Sequence, residues 1–184
     1  MHAARRIVVL TAVFVVGAVI ASAQPGGVMT DLAKDVAEVE TKVVGLANAM
    51  PESAWDWRPG PGVRSVGEVF THVAADNYFM PAALGTPAPK EVGISGTDYK
   101  TVGVYEGRKR SRAEIIAEVQ KSFAFLKGAM AAAPADKLAA PMKIFGTDTT
   151  PQATWIGATT HLHEHLGQLI AYARSNKVVP PWSK

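Results

Sequence analysis

Cysteine is absent from the 184-residue sequence, and this absence excludes several kinds of chemistry. The chain cannot form a disulfide, offer a thiolate to a metal ion, use a cysteine nucleophile or carry a lipid on a cysteine. Any metal ion must therefore be bound by histidine, aspartate or glutamate. No serine lies in an elbow-type nucleophile motif. A glycine-rich phosphate loop is also missing, since Gly60-Pro61-Gly62 is interpreted as a turn. The sequence thus nominates no nucleophile, and the catalytic residues stay unknown.

A strong charge of one sign is lacking too. The formal net charge is +3, and the first 23 residues contribute two arginines and no acid, which leaves +1 for residues 24–184. The short basic run over residues 108–112 is interpreted as a solvated approach to a helix. A nucleic-acid-binding protein usually presents a clustered basic face. The sequence therefore predicts no nucleic-acid partner.

The N-terminal segment has the pattern of a secretory signal peptide. Arg5 and Arg6 precede an apolar run over residues 7–20, which leads to the small residues Ala21-Ser22-Ala23. The run is shorter than the roughly 20 apolar residues that span a membrane. We expect cleavage after Ala23 and a periplasmic or secreted protein without membrane contact. An uncleaved membrane anchor is the alternative.

Residues 24–184 fit a single domain, and they contain four segments with helical periodicity. The predicted helices cover residues 29–49, 65–84, 111–133 and 150–176. Ser65 and Glu68 form a capping box at the start of the second helix, and Ser111 and Glu114 form one at the third.

The starts of the other two predicted helices have different capping residues. Thr30 or Asp31 can cap the first helix, and Thr150 caps the fourth, in which Pro151 takes the first helical position. Strand patterns are nearly absent, and two long connections cover residues 51–64 and 85–110. The second is long enough to be a functional flap. Together these features predict an all-α four-helix bundle with one or two long crossover loops.

Four histidines lie on the predicted helices, and helical geometry separates them. His161 and His165 project from one stripe of the last helix, which Gln168 and Tyr172 continue, whereas His163 points elsewhere. His72 flanks the apolar stripe of the second helix. Three imidazoles, those of His72, His161 and His165, can therefore meet between two helices.

Such a cluster suits a metal ion. Side chains at i and i+4 have Cβ atoms about 5–6 Å apart, close enough for two imidazoles to share one ion. With a third imidazole, one position stays open for water, which is the arrangement of a catalytic site. Spacing alone equally fits histidines that hydrogen-bond to their neighbours, or a half-exposed pH-sensitive cluster.

Several neighbouring residues allow two interpretations each. Asp76, one turn beyond His72, could orient an imidazole, act as a base or face solvent. Gln168 and Tyr172 could polarise a substrate or form hydrogen bonds within the bundle. Glu164 is interpreted as a surface residue. The tryptophans that could line a pocket, but are expected to pack in the core, are Trp55, Trp57 and Trp155.

Three stretches resemble the DinB-like superfamily. Residues 160–174, THLHEHLGQLIAYAR, are similar to its last-helix signature. Residues 51–77, with a W-x-P element and one histidine on a Ser-initiated helix, resemble its first loop and second helix, and VVPPWS resembles its C-terminal ending. The resemblance covers residues 30–182.

The resemblance implies a four-helix bundle of up-down-down-up topology. It also implies a divalent metal held by three histidines, which correspond to His72, His161 and His165, while His163 falls on no ligand position. Some members are thiol transferases or isomerases in which the metal activates a thiol cofactor. The predicted export argues against a thiol transferase here.

The function predicted from these observations is a metal-dependent hydrolase or transferase that acts on a small molecule. The alternatives are a non-catalytic metal-binding or stress-related protein and a plain helical interaction module. Three imidazoles without a thiolate suit zinc, nickel, iron or copper, and zinc or nickel is expected. The sequence names no substrate and leaves a homodimer open, since four amphipathic helices often retain an apolar outer face.

Overall fold

The computed structural model describes residues 25–183 and is mostly helical. The predicted signal peptide, residues 1–23, lies outside this range. The described part contains five α-helices and one β-hairpin. The helices are α1 (Pro25–Ala49), α2 (Val66–Ala83), α3 (Lys100–Glu106), α4 (Arg112–Ala131) and α5 (Pro151–Ser175). The hairpin strands are β1 (Met142–Ile144) and β2 (Thr147–Thr149).

The predicted starts of α2, α4 and α5 are confirmed. Ser65 Oγ accepts a hydrogen bond from the Glu68 amide at 3.3 Å, and the Glu68 carboxylate accepts one from the Ser65 amide at 2.6 Å. Ser111 and Glu114 repeat this capping box. Thr150 Oγ1 accepts from the amide nitrogen three residues on at 3.2 Å. These bonds satisfy amide groups that a helix start leaves without partners, so local sequence determines the three starts.

The prediction for the first helix was wrong at its beginning. Within the described residues, helix α1 already covers Pro25–Ala49, so Thr30 and Asp31 lie within the helix rather than at its cap.

The connection over residues 85–110 and the link before α5 also differ from expectation. The first contains the seven-residue helix α3, and the second contains the antiparallel hairpin of β1 and β2. Both elements are too short to produce a visible apolar period. The hairpin turns through Phe145 and Gly146, which both have positive φ angles, 49° and 83°.

The four long helices pack around one apolar core. Helix α1 contacts α4 and α5, and helix α2 contacts the same two, while α3 packs on α2. The predicted apolar stripes face this core. Core residues that are 2% exposed or less include Val36, Val39, Val43, Leu46, Phe70, Phe123, Leu126, Leu162 and Leu169. Within residues 25–183, no helix combines the length and apolar character needed to cross a bilayer.

A glycine holds the 85–110 connection against α2. A Cβ on Gly96 would lie 2.1 Å from the carbonyl oxygen of Ala82, a distance at which no side chain fits. This close approach keeps the segment that leads into α3 beside the C-terminal end of α2.

Candidate metal centre

Three histidines converge between α2 and α5. His72 is buried on α2, and the half-buried His161 and His165 lie one turn apart on α5. One ring nitrogen of each lies within 4.8 Å of the other two. The ring centroids of His161 and His165 are 4.4 Å apart, and His72 lies 5.3 Å and 4.7 Å from them. The three residues singled out by helical spacing therefore form one cluster that could hold a metal ion.

His163 lies outside the cluster, as expected from its angular position. Its Nε2 atom faces Asp35 on α1, at 2.9 Å from a carboxylate oxygen, and its side chain is 46% exposed. It therefore links two helices at the surface.

Two of the clustered imidazoles are oriented by acceptor oxygens behind them. His72 Nδ1 lies 2.5 Å from Glu106 Oε1, and His165 Nδ1 lies 2.9 Å from Gln168 Oε1. Both partners can only accept through these oxygens, so each Nδ1 is assigned the proton. In both rings Nε2 is then the nitrogen that carries the lone pair able to bind an ion. Partners of this kind fix the ring and the tautomer of metal-binding histidines.

The Gln168 contact continues into a chain of hydrogen bonds. Gln168 Nε2 donates to the Tyr172 hydroxyl at 2.9 Å, and this hydroxyl donates to the carbonyl oxygen of Arg64 at 3.2 Å. Trp57 packs edge-on against Tyr172, with ring centroids 5.2 Å apart. Gln168 and Tyr172 thus form hydrogen bonds within the protein, one of their two predicted roles.

Asp76 lies inside the cluster rather than facing solvent. It is 6% exposed, and its Oδ2 atom lies 2.6 Å from His161 Nε2 and 3.3 Å from His72 Nε2. Its Oδ1 atom and His165 Nε2 are buried without a hydrogen-bond partner among the described residues. A buried polar atom left unpaired costs about 1–3 kcal/mol. A cation bound by Nε2 of His165 would remove this cost, so the donor set fits a metal ion.

Comparison with known proteins identifies the family. A sequence model of the DinB superfamily matches residues 36–169. The chain belongs to the DinB superfamily. This confirms the resemblance carried by the last-helix signature and the histidine of the second helix. None of the curated proteins compared with the sequence matches it.

Solved structures share the DinB fold. A DinB-like protein from Bacillus subtilis superimposes with a TM-score of 0.63 at 12% identity, covering 84% of this chain and 97% of that one. An uncharacterised protein from Escherichia coli gives a TM-score of 0.59 at 14% identity, covering 82% and 95% of the two chains. At these identities the likeness concerns the fold alone.

Sequence reasoning missed two residues of this DinB superfamily site. Glu106, on α3, contacts His72 from 34 positions away along the chain, and Arg64 Nη2 lies 3.4 Å from Glu106 Oε2. No spacing rule connects residues so far apart. The one signal was the unusual length of the 85–110 connection, which carries Glu106. The two residues border a cleft of about 400 Å³, which is also lined by Arg58, Val63, Glu68, Thr71 and Gly103.

The surroundings shift the protonation of three groups. The hydrogen bond to Asp76 raises the pKa of His161, against the opposing effect of burial, whereas burial lowers the pKa of His165. Burial acts to raise the pKa of Glu106, but the hydrogen bond and charge of His72, together with Arg64, lower it overall. Glu106 is therefore held as a carboxylate, and His165 as a neutral imidazole able to bind a metal.

These shifts predict two distinguishable titrations in the metal-free protein. NMR of the imidazole resonances should give a pKa for His161 above 6.5 and one for His165 below it. Asp76→Asn should lower the pKa of His161, because it removes the carboxylate that stabilises the imidazolium.

The sign for stability follows from linkage. Because the pKa of His161 is higher in the folded than in the unfolded chain, protonation of its imidazole stabilises the metal-free fold. This stabilisation is complete below the unfolded pKa and is lost as the pH rises through the folded pKa. Asp76→Asn should therefore remove the stabilisation that the metal-free protein has at pH values below the unfolded pKa of His161. The resonances of His163, which contacts Asp35, provide the internal control. An unchanged His161 titration in Asp76→Asn would refute the assignment.

Proposed function

We propose that the chain binds one divalent metal ion through His72, His161 and His165, and uses it as a hydrolase or transferase acting on a small molecule. The observation that carries this proposal is the convergence of three imidazole nitrogens within 4.8 Å of one another. The buried Nε2 atom of His165 supports it, since no described residue satisfies that atom and a bound cation would.

The donor set favours zinc or nickel. Imidazole nitrogens suit both ions, and zinc binds them at about 2.0–2.1 Å. Three protein ligands leave coordination positions for water or substrate, which is typical of catalytic rather than structural sites. A bound ion would supply Lewis acidity and a water of lowered pKa. The residues of the chain would orient the ligands, through Glu106 on His72 and Gln168 on His165.

The remaining sequence expectations are part of the same proposal. Residues 1–23 would be a signal peptide cleaved after Ala23, and residues 24–184 a periplasmic or secreted domain. The four long helices would have the up-down-down-up order of a DinB-like four-helix bundle. No nucleic-acid partner is proposed, and a homodimer is compatible with the chain.

A non-catalytic metal-binding protein is the second candidate. The burial of His72, which is 5% exposed, favours it, because a well-shielded ion exchanges ligands poorly. A cleft of about 580 Å³ lies elsewhere, between α4 and the 85–110 connection, and none of the three histidines lines it. The two candidates differ in whether the ion accepts an external ligand.

Cobalt substitution separates them. The visible spectrum of the cobalt-loaded protein should change when small chelating ligands or thiols are added, and a panel of esters, amides and thiol adducts should reveal metal-dependent turnover. His161→Ala should abolish both signals, and His163→Ala should retain them. If the spectrum of the cobalt-loaded protein changes with none of the added ligands, the result would support the non-catalytic candidate instead.

A further inference from the structure

Three aromatic rings form a corner beyond the histidine cluster. We define the aromatic corner as Phe79 of α2, Tyr99 before α3 and Phe145 at the hairpin tip. The rings of Phe79 and Phe145 are parallel within 5°, with centroids 5.9 Å apart. Tyr99 stands nearly perpendicular to both, at 5.2 Å and 6.3 Å. Phe79 is buried, but Tyr99 is 52% exposed and Phe145 is 58% exposed. The corner thus presents the ring of Phe145 and the perpendicular ring of Tyr99 to its surroundings.

The backbone at Phe145 is unfavourable for its residue type. Its φ of 49° lies in the left-handed region, which a bulky side chain rarely adopts. A two-residue hairpin turn of this kind prefers Asn, Asp or Gly at that position. Because the ring of Phe145 is mostly exposed, its burial contributes little free energy to offset the backbone strain. Strained residues tend to occur at ligand-binding sites, where the side chain is needed.

The corner lies on the same helix face as the candidate metal centre. His72, Asp76 and Phe79 lie on one face of α2, at spacings of four and three residues. Seven residues of helix separate His72 from Phe79 by about 10 Å. Burial, with the charges of Asp76 and Glu106, also raises the pKa of Tyr99.

We propose that the aromatic corner binds the planar aromatic group of a small molecule whose polar end reaches the metal centre. This inference rests on the proposed function and names its substrate class: an arene joined to a metal-binding polar group by a short spacer. One ring of the ligand would stack on Phe145 and meet Tyr99 edge-on, a geometry that aromatic pairs favour. The spacer would cover the distance along α2 from Phe79 to His72. The corner has only two exposed rings, which suits a small molecule better than a protein partner.

Two hydroxamates test the corner on the zinc-loaded full chain. Acetohydroxamate reports on the metal alone, and 6-phenylhexanohydroxamate adds a ring on a five-carbon spacer, whose extended length together with the ring and the hydroxamate matches the rise of about 10 Å along α2. Titration calorimetry should show the aryl ligand binding about 10-fold more tightly than acetohydroxamate, a gain typical of one or two aromatic contacts. Phe145→Asn and Tyr99→Ala should each reduce this advantage to about 2-fold or less, without changing acetohydroxamate binding.

The choice of variants separates binding from folding. Asparagine tolerates a positive φ, so Phe145→Asn should melt at the same temperature as the unsubstituted protein or higher. Trp182→Ala is the matched control, since it removes an exposed aromatic ring that lies beside Gly45 of α1. It should keep the full aryl advantage.

The outcomes that overturn the inference are distinct from each other. If the two hydroxamates bind equally, or if the aryl advantage survives in both Phe145→Asn and Tyr99→Ala, the aromatic corner is not a ligand site. If neither hydroxamate binds, the accessible metal centre is absent, and the proposed function fails together with the inference.

Discussion

Metal analysis of the full chain, purified without a histidine tag or chelator, should find about one divalent ion per molecule. His72→Ala, His161→Ala and His165→Ala should each weaken binding by more than the roughly 10–100-fold that loss of a supporting partner causes. Each substitution removes one of the three nitrogens that lie within 4.8 Å of one another.

His163→Ala is the matched control for this series. It removes an imidazole from the same helix, between the two proposed ligands, but the ring of His163 faces Asp35 instead. The variant should bind the ion with unchanged stoichiometry. Mass spectrometry of the native protein, together with calorimetric titration of zinc and nickel, measures both quantities. An unsubstituted protein that binds neither ion would refute the metal centre, and equal losses in all four variants would refute the ligand assignment.

Glu106→Gln should weaken metal binding by about 10–100-fold, although Glu106 is not a proposed ligand. Its carboxylate lies 2.5 Å from His72 Nδ1 and keeps the Nε2 lone pair of that ring directed into the cluster. The negative charge also makes the imidazole a stronger donor to a cation. Glutamine preserves the size and the acceptor oxygen but removes the charge, so the variant isolates the electrostatic contribution. The loss should therefore arise without a change in fold.

Glu164→Gln provides the control for charge. It makes the same substitution beside the same cluster, where Glu164 lies 3.7 Å from His161 Nδ1 but is 76% exposed. Solvent screens such a charge, so its removal should change the affinity little. Competition with a chelator of known affinity measures both dissociation constants, and circular dichroism checks the fold. If Glu106→Gln and Glu164→Gln bind the ion equally well, Glu106 does not support the metal centre.

Most of the helical framework could be predicted from the sequence, because its signals act over a few residues. The capping pairs at Ser65 and Ser111 and the Thr150 cap each determine a helix start by bonds to amides three residues away. The periodicity of the apolar residues likewise shows which face of each helix is buried. The first turns of α1 were missed because Thr30 and Asp31 are residue types typical of helix caps, whereas here they lie within the helix.

Within the candidate site, helical geometry could bring His72, His161 and His165 together between two helices, and the DinB resemblance could assign them as metal ligands. Their orientation could not be predicted, since it depends on residues from other parts of the chain. Glu106 reaches His72 because α3 packs against α2, and Gly96 permits that packing through its contact with the backbone of Ala82. Phe145 reaches Phe79 in the same way, through a hairpin too short to leave a pattern.

The sequence by itself therefore determined the family, three helix starts and the residues available to bind an ion. Each of these depends on interactions or motifs that are local along the chain. Tertiary structure alone decided which acceptor oxygens orient His72 and His165, that Asp76 lies inside the cluster and where the aromatic corner lies. Contacts between residues 34 or more positions apart exist only when the helices pack, because the core that joins them forms only in the folded chain.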